Sequence, residues 1–467
     1  MKCFPAIINN EEIFTLEKEE IISIDNKVIA QSSIFPVIRI NSINQKNDKM
    51  FESFQSMKIM DILADLKKAA QIFRQMDFEL NGEQINKKDY IDYLVQSTGL
   101  TAEFVDEEIN AVADIMEHLE EIISVQIPGS LNTCLDEHYY ETDFNHVGYY
   151  PTGKSLAIKL PGNVPTICMY WLIPFTQKRV IYLIPPQEDL LTHYLILKAI
   201  YKVNPMLASF VQFLPCRGQA QMELFHISDQ IMISESSKNL IVKAGDLSEK
   251  TYYIHYGRSK ILNTLEYNPV YTDIMYKKMT WNNGRTCTGL TSIITTNNAQ
   301  KIAQDLSTKI IKNYEDELYK KAPSFNLEKA ILLDKMIEDF VKKGEVIDIT
   351  SALRNKPRLI INGNSGIIFP TVLLVKKKNS KAFGLELPFP FVSIIELNDE
   401  KEILEYCKNT LILSVLSKDK KMIEKLCYEK SILKVFSGEY VERGYNYLDP
   451  HEGYILDFLN MKKAILL

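Results

Sequence analysis

The stretch WNNGRTCTGL, residues 281–290, sets Cys287 among small polar residues that include two glycines, between a helix-like segment and the apolar run TSIITT. A thiolate is a strong nucleophile, but an unperturbed thiol with a pKa of about 8.5 is only a few per cent ionised at neutral pH. A cysteine that does chemistry therefore needs loop N–H groups or a neighbouring base to favour its anion. Spacing alone leaves two readings of Cys287: a nucleophile, or one of seven small residues that fill cores. The others, Cys3, Cys134, Cys168, Cys216, Cys407 and Cys427, form no C-x-x-C pair, and an odd total in a long chain is a poor disulfide framework. Reduced thiols are expected, with Cys168 and Cys216 read as packing residues. His138, His146, His193, His226 and His255 show no ligand spacing, so no metal site is expected.

A second candidate, GYYPTGKS at 148–155, satisfies the phosphate-loop pattern G-x-x-x-x-G-K-[ST]. Such a loop needs an apolar strand before it and a helix opening at the lysine. Here YETDFNHV precedes it and the strand-like SLAIKLPG follows and meets Pro161, so the match is set aside.

The elements that must position Cys287 follow from pattern. A chain of 467 residues is too long for one ordinary core and implies lobes with a cleft between them. Residues 1–50 mix β-like runs, EEIISI and VIAQSSIFPVIRI, with turns. MKIMDILADLKKAAQIFRQM and TAEFVDEEINAVADIMEHLEEII carry apolar residues at helical spacing, the second opened by the N-cap candidate Thr101. From 156 to 258 strands and helices alternate, which predicts a parallel sheet with helices on both faces. A second alternating block follows Cys287, with a long charged helix expected over 297–321 and strands at PRLIING, FPTVLLV, FVSIIEL, LILSVLS and ILKVFSG. The tail HEGYILDFLNMKKAILL ends strand-like, an edge that another strand must cover.

A formal charge of −6 with interspersed signs gives no basic field for nucleic acid. No apolar run reaches the roughly 20 residues of a membrane span, and no signal peptide is recognisable. A cytoplasmic protein is expected.

NNGRTCT resembles the cysteine loop N-x-G-Q-x-C of the aldehyde dehydrogenase superfamily, and the other landmarks of that superfamily stand in the same order. PGNVP is similar to its P-x-N-x-P element, which implies that Asn163 binds the oxyanion beside the nucleophile Cys287. ELPFPFV resembles E-x-F-G-P-V and gives Glu386 the nicotinamide ribose. IPPQ resembles K-P-S-E, with Ile184 at the lysine and Pro185 and Gln187 beside the adenosine ribose, and ISES resembles F-T-G-S, giving Ser234 and Ser236 the pyrophosphate. Within the superfamily the chain resembles most the acyl-CoA reductases of the bacterial-luminescence fatty-acid reductase type.

The resemblance implies an α/β, aldehyde-dehydrogenase-like fold: two Rossmann-like lobes, a helical N-terminal segment and a small strand-based oligomerisation element. The implied division is 1–136 strands and helices packing on the cofactor lobe, 137–160 an oligomerisation hairpin, 161–260 the nicotinamide-cofactor lobe, 261–437 the catalytic lobe and 438–467 the tail with an oligomerisation strand. Hydrolytic members carry the glutamate of E-L-G-G-K where IHYGRSK has Ile254; Gly257 of that stretch is an implied cofactor contact. Isoleucine takes no proton, so the implied chemistry is reduction of an acyl thioester, such as an acyl-CoA, to an aldehyde rather than release of an acid. Loss of the K-P-S-E glutamate, with Arg217 nearby in PCRGQ, favours NADPH, with NADH as the alternative. The same chemistry run toward acyl-CoA, and a catalytically silent scaffold, are the other readings. Implied partners are the acyl thioester, an acyl-activating or acyl-transfer protein and further copies of the chain.

Overall fold

A computed structural model describes residues 2–143, 145–234, 247–254, 259–444, 446–449, 451 and 453–465. Two seven-stranded sheets dominate it. In the first, the order is Thr251–Ile254, Gln230–Ser234, Ser155–Lys159, Val180–Ile184, Val211–Phe213, Ala6–Ile8, Glu11–Ile13. The first five strands are parallel, and the N-terminal hairpin adds the last two antiparallel. Successive side chains point to opposite faces of a strand, so each strand feeds two cores. Leu156, Ile158, Ile181 and Leu183 pack toward the helices Ile59–Gln75, Ala102–Glu117 and Leu190–Val203, while Ala157, Val180, Tyr182 and Ile184 pack toward Gly218–Ile227. The helix after Thr101 starts as expected, the threonine side chain accepting from the Phe104 N–H.

The second sheet runs Val346–Asp348, Thr371–Val375, Phe391–Glu396, Leu290–Thr295, Ser259–Asn263, Thr410–Leu416, Ile432–Ser437. All its pairs are parallel except that of Val346–Asp348 at one edge. Ile293 and Ile394 face one core with the helix Ala299–Tyr314, and Ile294 and Ile395 face another with Leu327–Lys342. The chain thus has two doubly wound α/β lobes, as the resemblance implied.

Four local expectations change. IFPVIRI is not a strand beyond Ser33; it turns into short helical segments, Val37–Arg39 and Ile40–Asn44, after Pro36. The helix expected over 297–321 stops at Tyr314 and restarts as Leu318–Lys321, with Lys356 bonding the Glu315 carbonyl at the break. Leu359–Asn362 does not join the parallel sheet. Gly363, at φ 60°, turns the chain back so that it pairs antiparallel with Ser365–Ile368 in a small sheet with Ser324–Asn326. Ser155–Lys159, which the sequence reading placed both at the head of the alternating block and within the implied hairpin 137–160, belongs to the first large sheet, with four of its five side chains buried.

The phosphate-loop match proves to be strand, turn and strand, with Lys154 paired to Asp48 at 2.7 Å. The terminal strand Asn460–Ile465 pairs antiparallel with His146–Pro151 of its own chain, and Tyr139–Glu141 flanks that strand. The hairpin and tail strand, which the resemblance implied as elements that pair across subunits, thus pair with each other within one chain. Buried Asn460 fastens it, donating to Tyr149 Oη at 3.0 Å and accepting from Arg179 at 3.0 Å. Among the described residues no helix is long and apolar enough to cross a membrane.

Candidate active site

The Cys287 loop is held in an uncommon conformation by asparagine and glycine. The helix Pro269–Thr280 runs into a turn in which Asn282, Asn283 and Gly284 have φ of 49°, 55° and 68°. Asparagine tolerates this left-handed region and glycine enters it freely. A Cβ at Gly284 would collide with the Phe389–Pro390 backbone, so glycine lets the loop close on the segment that carries Glu386. Asn283 accepts from the Thr101 hydroxyl at 3.0 Å and Arg285 donates to the Thr98 carbonyl, which ties the loop to the N-terminal helices.

Cys287 stands where two cavities meet. A cleft of about 730 Å³ between the lobes is lined by Cys287, Asn163, Ser234, Ile254 and Glu386 among others. Ser234 and Ile254 end neighbouring parallel strands and lie in register. The Asn163 Nδ2 donates to the Arg285 carbonyl at 3.4 Å. A smaller adjoining hollow of about 240 Å³ contains Pro185, Gln187, Arg217, Lys159, Glu188 and Cys216. The structure therefore gathers the sequence-picked residues along the carboxyl ends of the first sheet's strands, where doubly wound sheets take their ligands. Ser236 and Gly257, together with Glu235 and His255, lie outside the described residues.

Two details differ from the sequence reading of the cofactor side. Arg217 lines the hollow but is ion-paired there with Glu19 of the strand Lys18–Ile22. Lys159, unmentioned in that reading, is half-buried there, and its ammonium makes no hydrogen bond or ion pair among the described residues. Burial pulls its pKa down, with Cys216 and Glu188 opposing. A lysine in the otherwise apolar LAIKL was the signal for it. Burial raises the Cys168 thiol and pushes Cys216 up to about 12, which fits packing residues.

On its other side Cys287 opens into a cavity of about 350 Å³ that the sequence did not reveal. The walls include Glu108, Tyr170, Trp281, Tyr447 and His451. The His451 Nε2 lies 3.0 Å from the Cys287 Sγ, and the residue is 6% exposed. It arrives from 164 positions away in sequence, and nothing in its local pattern marks it. Glu108, 4% exposed, accepts from the Thr166 N–H at 2.9 Å, and burial pushes its pKa up to about 7 against that bond. Its signal was legible: it shares a helical face with Phe104, Val112 and Ile115, so a carboxylate sits on an apolar stripe. Among the described residues no group of side chains has the make-up of a metal site.

No family model and no curated protein matches the chain. Solved structures do. A 1-pyrroline-5-carboxylate dehydrogenase from Thermus with bound NAD aligns over 99% of this chain and 92% of its own, at TM-score 0.74 and 17% identity. NADP-dependent glyceraldehyde-3-phosphate dehydrogenase from Bacillus halodurans, complexed with NADP, aligns over 100% and 99%, at 0.76 and 15%. Aldehyde dehydrogenase 21 from Physcomitrella patens, with succinate, aligns over 100% and 98%, at 0.76 and 13%. These neighbours are members of the aldehyde dehydrogenase superfamily, and the chain shares their fold.

Proposed function

We propose that this chain is a nicotinamide-dependent aldehyde oxidoreductase working through a Cys287 thioester, and within that class a reductase of acyl thioesters such as acyl-CoA. The observation that carries the reading is the place of Cys287 at the junction of the two cavities, with Ile254, the residue that the resemblance sets at the glutamate of hydrolytic members, on the cleft wall. Strand ends, Gln187, Ser234, Glu386 and the Lys159 ammonium fit a dinucleotide in the cleft; Lys159 suits a 2′-phosphate and supports NADPH over NADH. When bound, the reduced nicotinamide supplies hydride to the thioester carbon.

The chain's residues do the rest. Cys287 Sγ attacks the acyl carbonyl, and the Asn163 amide and the Cys287 backbone N–H hold the oxyanion, each donor worth about 3–4 kcal/mol in such sites. Ile254 activates no water, so the thioester persists until it is reduced or passed to another thiol. The largely apolar second cavity takes the acyl chain. After reduction, Cys287 leaves as thiolate and the aldehyde is freed. The acyl donor is CoA-linked or carried by an acyl-transfer protein, and the free edges of the sheet formed by Tyr139–Glu141, His146–Pro151 and Asn460–Ile465 join copies of the chain.

The test is single-turnover labelling with radioactive octanoyl-CoA. Wild type takes label at Cys287 and releases it as aldehyde on addition of NADPH, while Cys287→Ala takes none. Wild type that stays unlabelled is a scaffold; release of acid without nicotinamide overturns the reductase.

A further inference from the structure

A third cavity, of about 520 Å³, adjoins the cleft between the lobes and shares Asn163, Arg285 and Pro388 with it. Its wall carries more positive than negative charge. Arg285 reaches it from the nucleophile loop and Lys329 from the first turn of the helix Leu327–Lys342, and among the described residues the one carboxylate on the wall is that of Glu188. Both cations stand over the Phe325 ring, the Arg285 Cζ 6.0 Å and the Lys329 Nζ 5.5 Å from its centre. Lys329, an exposed residue, makes no side-chain hydrogen bond or ion pair among the described residues. Burial of its ammonium in the wall pulls its pKa down, the Arg285 charge adds to the fall and Glu188 opposes it. Burial likewise brings Arg285 down to about 10, and its buried Nε has no partner among the described residues. Two further features of the wall favour an anion. Ser324–Asn326 lead into the N-terminus of a helix of 16 residues, where backbone N–H groups carry partial positive charge. Ser97, 7% exposed, has a hydroxyl that bonds nothing among the described residues, whereas its neighbour Thr98 bonds the carbonyl four residues back, as helical hydroxyls do.

We propose that the third cavity is a phosphate subsite that seats the nucleotide end of a CoA-type acyl thioester, apart from the nicotinamide dinucleotide. This rests on the thioester reading above and adds the place of the donor's phosphates. A ligand whose sulfur reaches Cys287 passes Asn163 and Arg285, the wall that the two spaces share, and its far end then meets Lys329 and the helix N-terminus. Phosphate suits such a wall, because its oxygens take charge-assisted bonds from lysine and arginine while backbone N–H groups complete the shell. The dinucleotide has a cation of its own, Lys159, in the hollow at the carboxyl ends of the strands. Gly162, Gln187 and Glu188 line both that hollow and the third cavity and so form the partition between them. Two nucleotides then lie on either side of it, one bringing the hydride and the other the acyl group.

The test titrates adenosine 3′,5′-bisphosphate, the phosphate-bearing end of CoA without its thiol, into the full chain by calorimetry, with and without saturating NADPH. Wild type binds it in both conditions. Lys329→Met weakens binding about tenfold or more, the loss of one hydrogen bond between charged groups, while Lys329→Arg keeps it. Acylation of Cys287 is the second arm. With octanoyl-CoA, Lys329→Met needs about ten times the wild-type concentration for half-maximal rate; with octanoyl-pantetheine, which lacks the nucleotide, it matches wild type. Bisphosphate that NADPH displaces, together with a raised KM for NADPH in Lys329→Met, assigns the subsite to the dinucleotide and overturns the proposal. A folded Lys329→Met that binds the bisphosphate as wild type does overturns it too. If the bisphosphate does not bind while octanoyl-pantetheine acylates Cys287, this inference fails alone. If it binds while neither thioester acylates Cys287, the thioester reading fails and the phosphate subsite stands.

Discussion

The cleft of about 730 Å³ on one side of Cys287 is walled largely by strand ends of the first sheet and the 381–388 segment, whereas the cavity of about 350 Å³ on the other side is assembled from the helix Ala102–Glu117, the turn Pro165–Cys168 and the tail residues Tyr447 and His451. The first wall is what a doubly wound sheet offers at its carboxyl edge whatever its sequence. The second depends on which distant segments happen to be brought beside the cysteine. Under the proposed function the first side serves the redox step and the second takes the acyl group.

Asn163 belongs to both walls, so its removal is the strongest way to break the comparison. Asn163→Ala should slow acylation and reduction alike by about 10²–10³-fold, the effect of losing one oxyanion donor. Single-turnover rates for the two half-reactions check it. A loss confined to one half-reaction would place the oxyanion elsewhere.

The same contrast explains what the sequence disclosed. The alternation of LAIKL, RVIYLIP and DQIMIS exposed the parallel sheet because each strand is buried on both faces; Ser234 and Ile254 came from the family resemblance and prove to stand at strand ends. The loop NNGRTCT was legible because left-handed backbone at 282–284 demands asparagine and glycine. His451 was not, since the tertiary packing of the tail, and no periodicity, brings it to Cys287. The partner of Arg217 was not legible either, because its carboxylate, Glu19, lies 198 residues away in sequence.

A second way to sharpen the comparison is the proton on Glu108, in the wall of the smaller cavity. Its folded pKa, about 7, lies above its ordinary value of 4.5, so the folded protein holds a proton that the unfolded chain releases. That contribution to stability is fully present below pH 4.5 and is lost as pH rises through 7. Glu108→Gln keeps an acceptor for the Thr166 N–H without the titration. The variant should gain stability over wild type as pH rises from 5 to 8, by at most about 3 kcal/mol. Urea midpoints at the two pH values check it; an unchanged difference between the proteins would show that Glu108 titrates as an ordinary carboxylate.

The smallest expected effect comes from placing a carboxylate on the wall of the larger cleft. Ile254 is 5% exposed, lies in register with Ser234 and lines the cleft with Cys287. Ile254→Glu puts a carboxylate where it can polarise water, so hydrolysis of a preformed acyl-enzyme should rise. The gain is held to a few-fold because a carboxyl among apolar neighbours keeps its proton toward neutral pH. Raising the pH then ionises it, so the ratio of mutant to wild-type hydrolysis should grow between pH 6 and 9. Acyl-enzyme decay without nicotinamide measures that ratio. If a folded variant decays as wild type does at every pH, the side chain at 254 does not face the thioester, and water exclusion on the cofactor side has another cause.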